Sequence, residues 1–124
     1  MKLGRKITGG KYKLQKKKKK YELPGHITKV KLGEIKKKSS RIQGGNKKTI
    51  LLNANYANVM DPETKKSKKV KILNVLETQA NRFLARQNIL IKSAIIETEL
   101  GKAKITNRPS QEPVVQAVLI KEKQ

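Results

Sequence analysis

The sequence predicts an all-β fold: a small closed or nearly closed β-barrel of six or seven short strands with an extended basic N-terminal arm. Short segments of alternating apolar and polar residues recur along the chain, separated by turn-forming Gly, Pro and Asn. In a chain of 124 residues, a closed barrel removes the exposed sheet edges that favour aggregation. An open β-sandwich is the alternative architecture.

Positive charge is concentrated in the first part of the chain. The formal net charge is +22, from 31 Lys and Arg against 9 Asp and Glu. Residues 1–50 hold 18 of the basic residues and 2 of the acidic ones, whereas residues 51–124 hold 13 and 7. The five adjacent lysines from Lys16 to Lys20 repel one another and cannot be buried, so this run needs an anionic partner. We therefore divide the chain into a basic arm, residues 1–25, and a β-barrel body, residues 26–124.

The composition also argues against several classes of protein. The most apolar stretch, Val114 to Ile120, is much shorter than the roughly 18 residues of a membrane-spanning helix, so no membrane partner is expected. No apolar run follows the first basic residues, as a secretory signal would require. The chain has no Cys, which excludes disulfides and thiolate metal sites and is compatible with a reducing cytosol.

In the first half of the body, the pattern predicts a strand over residues 27–32, where apolar and basic residues alternate. A second strand is predicted over residues 35–43, although three lysines blur its pattern. The residues Gly44–Gly45–Asn46 tolerate positive φ and predict a hairpin turn. The strand that follows is expected to present one apolar face, made of Ile50, Leu52, Ala54 and Tyr56.

In the second half, Asp61–Pro62–Glu63–Thr64 predicts a turn, and a basic loop with Lys65, Lys66, Lys68 and Lys69 follows. A strand over residues 70–77 changes phase near Leu73, which indicates a β-bulge. Residues 78–87 fit either a turn or one helical turn. Further strands are predicted over residues 89–98, 103–106 and 114–120, and residues 107–113 form an irregular connection.

Catalytic chemistry finds little support in the sequence. The single histidine, His26, lies outside any apolar run, and one His without Cys cannot form a metal site unless carboxylates contribute. Glu97 and Glu99 would share one face of a strand and could act as a carboxylate pair, but they more simply balance neighbouring lysines. No phosphate-binding loop surrounds the glycine pairs. We expect no enzyme, no cofactor, no metal and no small-molecule substrate.

Nucleic-acid binding suits the arm better. Its cations can neutralise phosphates and release condensed counterions. Gly9 and Gly10 let the backbone approach a sugar-phosphate chain, because they have no Cβ. Tyr12 and Tyr21 can stack on unpaired bases or pack against the barrel, and both alternatives stay open. The lysines at 36–38 and 65–69 are as compatible with solvated loops as with RNA contacts.

Charge alone does not distinguish RNA from DNA, so a DNA-binding or DNA-packing protein is the alternative. A basic arm on a body that docks by shape suits the grooves and pockets of a large folded RNA. A reader of duplex DNA more often carries a recognition helix or a β-ribbon, and no clear helix of that kind is predicted.

Two motifs resemble one known family. Arg5–Lys6–Ile7–Thr8–Gly9–Gly10, followed by a lysine-rich segment that ends in Tyr21–Glu22–Leu23, is similar to the N-terminal signature of the S8e ribosomal proteins. Gly44–Gly45–Asn46–Lys47–Lys48 resembles their second signature, at a fitting distance. The segment from Ile95 to Ile105 is similar to the compact archaeal form of the family.

The resemblance implies a structural component of the cytoplasmic small ribosomal subunit, with small-subunit ribosomal RNA and neighbouring subunit proteins as partners. It supplies no catalytic residues. The residues and the resemblance together give a set of candidate RNA-binding residues in the arm and around the hairpin turn: Arg5, Lys6, Thr8, Gly9, Gly10, Lys11, Tyr12, Lys13, Lys16, Lys17, Lys18, Lys19, Lys20, Tyr21, Arg41, Gly44, Gly45, Asn46, Lys47 and Lys48.

Overall fold

The structure, a computed structural model, describes residues 4–12 and 17–120. Within these residues the chain forms nine strands in two sheets, one short α-helix and two 3-10 helices, which confirms the all-β prediction. The helix α1 is Arg82–Arg86, and the 3-10 helices are Lys20–Glu22 and Gln43–Gly45. The strands are β1 (Val30–Leu32), β2 (Lys36–Arg41), β3 (Lys47–Ala54), β4 (Tyr56–Met60), β5 (Ser67–Glu77), β6 (Ile89–Leu90), β7 (Ile95–Thr98), β8 (Gly101–Ile105) and β9 (Gln116–Leu119).

Five of the strands form the closed barrel, in the order β4-β5-β7-β8-β9. Neighbours in this order pair antiparallel, and the barrel closes where β4 pairs parallel with β9, with Val59 opposite Ala117. The predicted closed barrel is confirmed. Its size was overestimated, because the other four strands form a separate sheet with the order β2-β3-β1-β6.

The chain crosses between the two sheets where a continuous strand was predicted. β3 pairs with β1 and β2, whereas β4 pairs with β5 and β9, so the chain changes sheets at Asn55. The strand predicted over residues 89–98 is also divided. Ser93 has a φ of +66°, and Ala94 donates its backbone N–H to the carbonyl of Ile91 at 3.2 Å, which turns the chain between β6 and β7.

One apolar core joins the two sheets. It combines Val30, Leu51 and Leu90 of the four-stranded sheet with barrel residues such as Ile96 and Ile105. The face predicted for residues 50–56 was therefore partly wrong. Leu51 and Ala54 are the buried residues of β3, Ile50 and Leu52 are half-buried, and Tyr56 is exposed on β4.

The barrel can close with only five strands because several of its inward side chains are small. Ala57, Ala103 and Ala117 are buried inside it, beside the larger Ile96 and Ile105. Alternation of small and large residues is the usual way to fill a narrow barrel. The packing therefore depends on keeping the alanine positions small.

In the region from β5 to α1, the predicted bulge is confirmed and the open choice between a turn and one helical turn is decided. The register of β5 against β7 shifts between Ile72 and Asn74, at the predicted bulge. One helical turn, α1, forms within residues 78–87. Asn81 caps it, because its Oδ1 accepts a hydrogen bond from the backbone N–H of Phe83 at 2.9 Å.

Candidate nucleic-acid interface

The first part of the arm forms a small loop over residues 5–11. Arg5 and Lys11 face each other in an antiparallel bridge, and Lys6 donates its backbone N–H to the carbonyl of Gly10 at 2.8 Å. Gly9 sits at a φ of +78°, a conformation that disfavours side chains with a Cβ. Arg5 Nη1 also donates to the carbonyl of Gly9 at 3.2 Å. Residues 5–11 are thus folded back on themselves. An extended conformation of the arm as a whole stays a prediction.

This loop presents cations and one aromatic ring to solvent. All residues from 4 to 12 are exposed, including Thr8 and Gly10. The Tyr12 side chain is 53% exposed, and Lys6 Nζ lies 5.8 Å from its ring centroid. The candidates Lys13 and Lys16 lie outside the described residues.

The second part of the arm repeats this combination. Residues 17–23 are all exposed, and the 3-10 helix begins at Lys20. Glu22 accepts a hydrogen bond from the backbone N–H of Lys19 at 2.9 Å, which orders the end of the lysine run. Tyr21 is 78% exposed, with Lys19 Nζ 5.9 Å from its ring centroid. Tyr12 and Tyr21 are thus both accessible beside an ammonium group.

The hairpin of β2 and β3 carries the second group of candidates. Gly44 and Gly45 have φ values of +74° and +76°, and Ile42 donates its backbone N–H to the carbonyl of Asn46 at 2.8 Å. The predicted turn is confirmed for the two glycines. Asn46 does not use the left-handed region, because its φ is −68°.

The strands of this hairpin hold cations in opposed positions. Arg41 lies directly opposite Lys47, and all six residues of β2 are exposed, including its three lysines. Like charges directly opposite each other destabilise a hairpin. Lys48 is partly engaged already, since its Nζ donates to Oε1 of Gln111. The hairpin therefore presents a cationic edge that a bound anion would stabilise.

The structure also exposes two aromatic rings beside cations that are not among the predicted RNA-binding residues. Phe83 on α1 is exposed, and the guanidinium carbons of Arg82 and Arg86 lie 5.6 and 5.8 Å from its ring centroid. Tyr56 on β4 is exposed with Lys69 Nζ 4.8 Å from its ring centroid. The alternating pattern of residues 50–56 assigned Tyr56 to an apolar strand face, so it was not predicted to be a binding residue. In the sequence, the nearness of Arg82 and Arg86 to Phe83 was the feature that could have indicated the Phe83 cluster.

The residues that the sequence offered for catalytic chemistry, His26, Glu97 and Glu99, are all exposed. Glu97 is on β7 opposite Lys102, whereas Glu99 lies in the turn after this strand, so the expectation that both share one strand face was wrong. His26 is exposed and outside every described strand. Across residues 4–12 and 17–120, no three His, Cys, Asp or Glu residues come together as a metal site would require. In the same part of the chain, no helix has the length and apolar character needed to cross a bilayer.

Fold and surface define a class first: a small, strongly basic β-barrel protein with a cationic hairpin and arm. Comparison with known proteins then gives the family. The family model described as "Ribosomal protein S8e" matches residues 1–120. The chain therefore belongs to the ribosomal protein S8e family, which confirms the family predicted from the sequence.

Individual relatives agree along nearly their whole length. The chain is 53% identical over 119 residues to "Small ribosomal subunit protein eS8" of Methanococcus aeolicus, which covers 95% of this chain and 93% of the relative. It is 51% identical over 120 residues to the protein of the same name from Sulfolobus acidocaldarius, with the same coverage. These relatives are archaeal, and the family is one of structural ribosomal proteins rather than enzymes.

Proposed function

We propose that this chain is a structural component of the small ribosomal subunit in the cytoplasm, where it binds ribosomal RNA through its arm and its basic hairpin. Neighbouring small-subunit proteins complete its surroundings. The relatives named as small-subunit proteins support the assignment to that particle. The observation that carries the RNA-binding part is the exposure of the cations: residues 17–20 and the whole of β2 are exposed, with no role in the buried core.

In this proposal, residues 1–25 are the RNA-binding arm and residues 26–124 are the body that positions it. The described part of the apolar core supports this division, since its first member is Val30. The loop at residues 5–11 holds its glycines where a phosphate chain can approach. The lysine run neutralises phosphates, and Tyr12 and Tyr21 offer exposed rings to unpaired bases.

The two cationic regions have different roles. The hairpin is a rigid element, since its strands are paired from Lys36 to Arg41 and Lys48 is attached to Gln111. The arm contributes most of the sequence-independent electrostatic attraction. The hairpin contributes position, because its cations are fixed relative to the barrel. Both act by contact with phosphate rather than by catalysis.

The test compares two variants of the full chain with equal charge. In the first, Lys17, Lys18, Lys19 and Lys20 become Gln. In the second, four exposed lysines outside the candidate set, Lys29, Lys31, Lys92 and Lys104, become Gln. Binding to small-subunit ribosomal RNA is measured as a function of salt. We expect the slope of log affinity against log salt concentration to be about 3 units shallower for the first variant, since each lost phosphate contact reduces this slope by about 0.7–0.9.

The control variant should retain the slope of the parent protein, because its lysines are scattered over the body. Equal loss in both variants would show that net charge alone drives binding and would overturn the role of the arm. Duplex DNA is the competitor in the same assay, since the β2–β3 hairpin is a two-stranded ribbon of the kind that enters a major groove. Equal affinity for duplex DNA and ribosomal RNA at one salt concentration would refute the RNA assignment.

A further inference from the structure

The outer face of the barrel carries a groove at its junction with the four-stranded sheet. Two cavities of about 720 and 110 Å³ adjoin there, and Asn58 and Lys69 line both of them. The larger lies over β4, β5 and β9, and the smaller reaches β2 at Lys37. The two cavities therefore share part of their wall, between the outer face of the barrel and the basic hairpin.

Strand register places three polar residues in one row across this groove. Asn58 lies opposite Lys69 of β5 on one side and opposite Gln116 of β9 on the other. Directly opposed residues project from the same face of a sheet, and all three are exposed. Neither the Asn58 nor the Gln116 side-chain amide has a hydrogen-bond partner among the described residues. Each amide offers donors and an acceptor, as recognition of a base edge requires.

An aromatic ring stands at one end of this row. Tyr56 lines the smaller cavity and is 39% exposed, and Lys69 Nζ lies 4.8 Å from its ring centroid. A base that stacks on this ring would bring its own phosphate close to the ammonium group. Stacking on an aromatic side chain beside a cation is the usual arrangement in single-strand binding sites.

The charge of the groove distinguishes it from other cavities of the described surface. Lys37, Lys68 and Lys69 line the two adjoining cavities, and none of the other described residues that line them is acidic. By contrast, a carboxylate lines each of three further cavities: Glu77, Asp61 and Glu97. The groove is suited to an anionic ligand that also carries flat, hydrogen-bonding groups.

We propose that this groove binds an unpaired segment of RNA, with a base against Tyr56, base edges at the amides of Asn58 and Gln116, and a phosphate at Lys69. A duplex does not fit this role, because its bases are stacked on one another and their faces are inaccessible. The choice of RNA as the ligand rests on the proposed function. The preference for an unpaired base rests on the groove itself.

The experiment is a titration of the full-length chain with a single-stranded RNA of ten nucleotides, followed by NMR. The side-chain NH₂ signals of Asn58 and Gln116 report directly on the groove, so binding by the arm does not obscure the result. We expect both signals to shift with saturation. The same sequence as a duplex, and as single-stranded DNA, is titrated in parallel. Equal shifts with the duplex, equal shifts with DNA, or shifts confined to residues 4–12 and 17–25 would each overturn the proposal.

Variants separate the roles of the groove residues. Tyr56→Ala should weaken binding, measured at the Gln116 signal, by about 5- to 150-fold, since a base stacked on an aromatic ring contributes that much. Tyr56→Phe keeps the ring and should bind like the parent protein, which also controls for folding. Lys69→Gln should reduce the salt slope by about 0.7, and Lys92→Gln, on an exposed loop away from the groove, should not. Unchanged affinity for Tyr56→Ala would refute base stacking.

Failure of the groove and failure of the arm give different results. If the arm does not bind ribosomal RNA, the lysine-run variant keeps its affinity for that RNA, while the groove signals still shift with the oligonucleotide. If the groove is wrong, the signals of Asn58 and Gln116 stay fixed while the arm variant still loses affinity. The two proposals can therefore be refuted separately.

Discussion

The tip of the β2–β3 hairpin allows a direct measurement of how much the cationic surface lowers the free energy of unfolding of the free protein. Arg41 and Lys47 are opposed partners in the hairpin and both are exposed. Replacing Lys47 by Glu exchanges a repulsive cross-strand pair for an attractive one. We expect the Lys47→Glu protein to be more stable than the parent and to bind ribosomal RNA less tightly.

The size of the effect follows from the geometry of the pair. A favourable or unfavourable charge pair in directly opposed positions contributes roughly 0.2–1 kcal/mol to hairpin stability. Replacing a repulsive pair by an attractive one counts this contribution twice. Because both side chains are in solvent, screening keeps the total stabilisation near the lower part of that doubled range, about 0.5–1 kcal/mol. In a body of about a hundred residues, this corresponds to a rise in Tm of about 2–8 °C. High salt should reduce the gain, because exposed charges are screened over about 10 Å at 0.1 M.

The assay is thermal unfolding followed by far-ultraviolet circular dichroism at low and high salt. Lys29→Glu is the matched control: it gives the same change in net charge at an exposed position just before β1. If Lys47→Glu is no more stable than Lys29→Glu at low salt, the repulsion assigned to the opposed pair does not exist. A gain that is independent of salt would point to a cause other than charge.

Two further predictions concern the turn and the barrel core. Gly44→Ala should cost about 1–2 kcal/mol in urea unfolding, because Gly44 has a φ of +74°, whereas Gly25→Ala should be nearly neutral, since a Cβ there meets no atom within 4 Å. Equal midpoints for these two glycine variants would contradict the strain. Ala103→Leu should lower the free energy of unfolding by about 1–3 kcal/mol, since Ala103 is fully buried inside a narrow barrel. A midpoint in urea as high as that of the parent protein would show that the barrel has room for a larger side chain.

Local features of the chain were predictable because short segments determine them. The glycine pair at the hairpin turn and the bulge near Leu73 both depend on neighbouring residues. Residues 78–87 fit either a turn or one helical turn in the sequence, and the structure has the helix α1 there. Strand segments were also found, since alternation reflects burial on one face. These parts account for the correct assignment of an all-β fold.

The division into two sheets was not predictable in the same way. The apolar alternation runs through Asn55 without interruption, yet β3 and β4 belong to different sheets. The choice of partner strand is made by distant segments, as in the parallel pair of β4 with β9 that closes the barrel. A pattern within one strand carries no information about which strand lies beside it. The number of strands in the barrel could therefore not be predicted from the sequence.

The two candidate surfaces differ in the same respect. The arm is visible in the sequence because its cations are adjacent, and Lys17 to Lys20 are indeed exposed. The groove brings together Asn58, Lys69 and Gln116 from three strands, and these residues become neighbours only through the register of the barrel. Tyr56 was misassigned to the apolar face for the same reason. A surface formed by adjacent residues of one segment can be predicted from the sequence. A surface formed by residues that strand pairing brings together cannot.

The placement of the cations also connects binding to stability. Described arm residues are all exposed, so their repulsion acts on a segment outside the core, whereas the opposed pair Arg41 and Lys47 acts within a paired hairpin. A phosphate bound at this tip would relieve the repulsion, so RNA that binds the folded chain through the hairpin should stabilise the fold, by an amount that grows with the logarithm of its concentration relative to Kd. Lys47→Glu removes the repulsion in advance and therefore reduces the additional stabilisation that RNA provides. If the proposed RNA contact at this hairpin holds, the same two charges make the free hairpin less stable and the bound one more so.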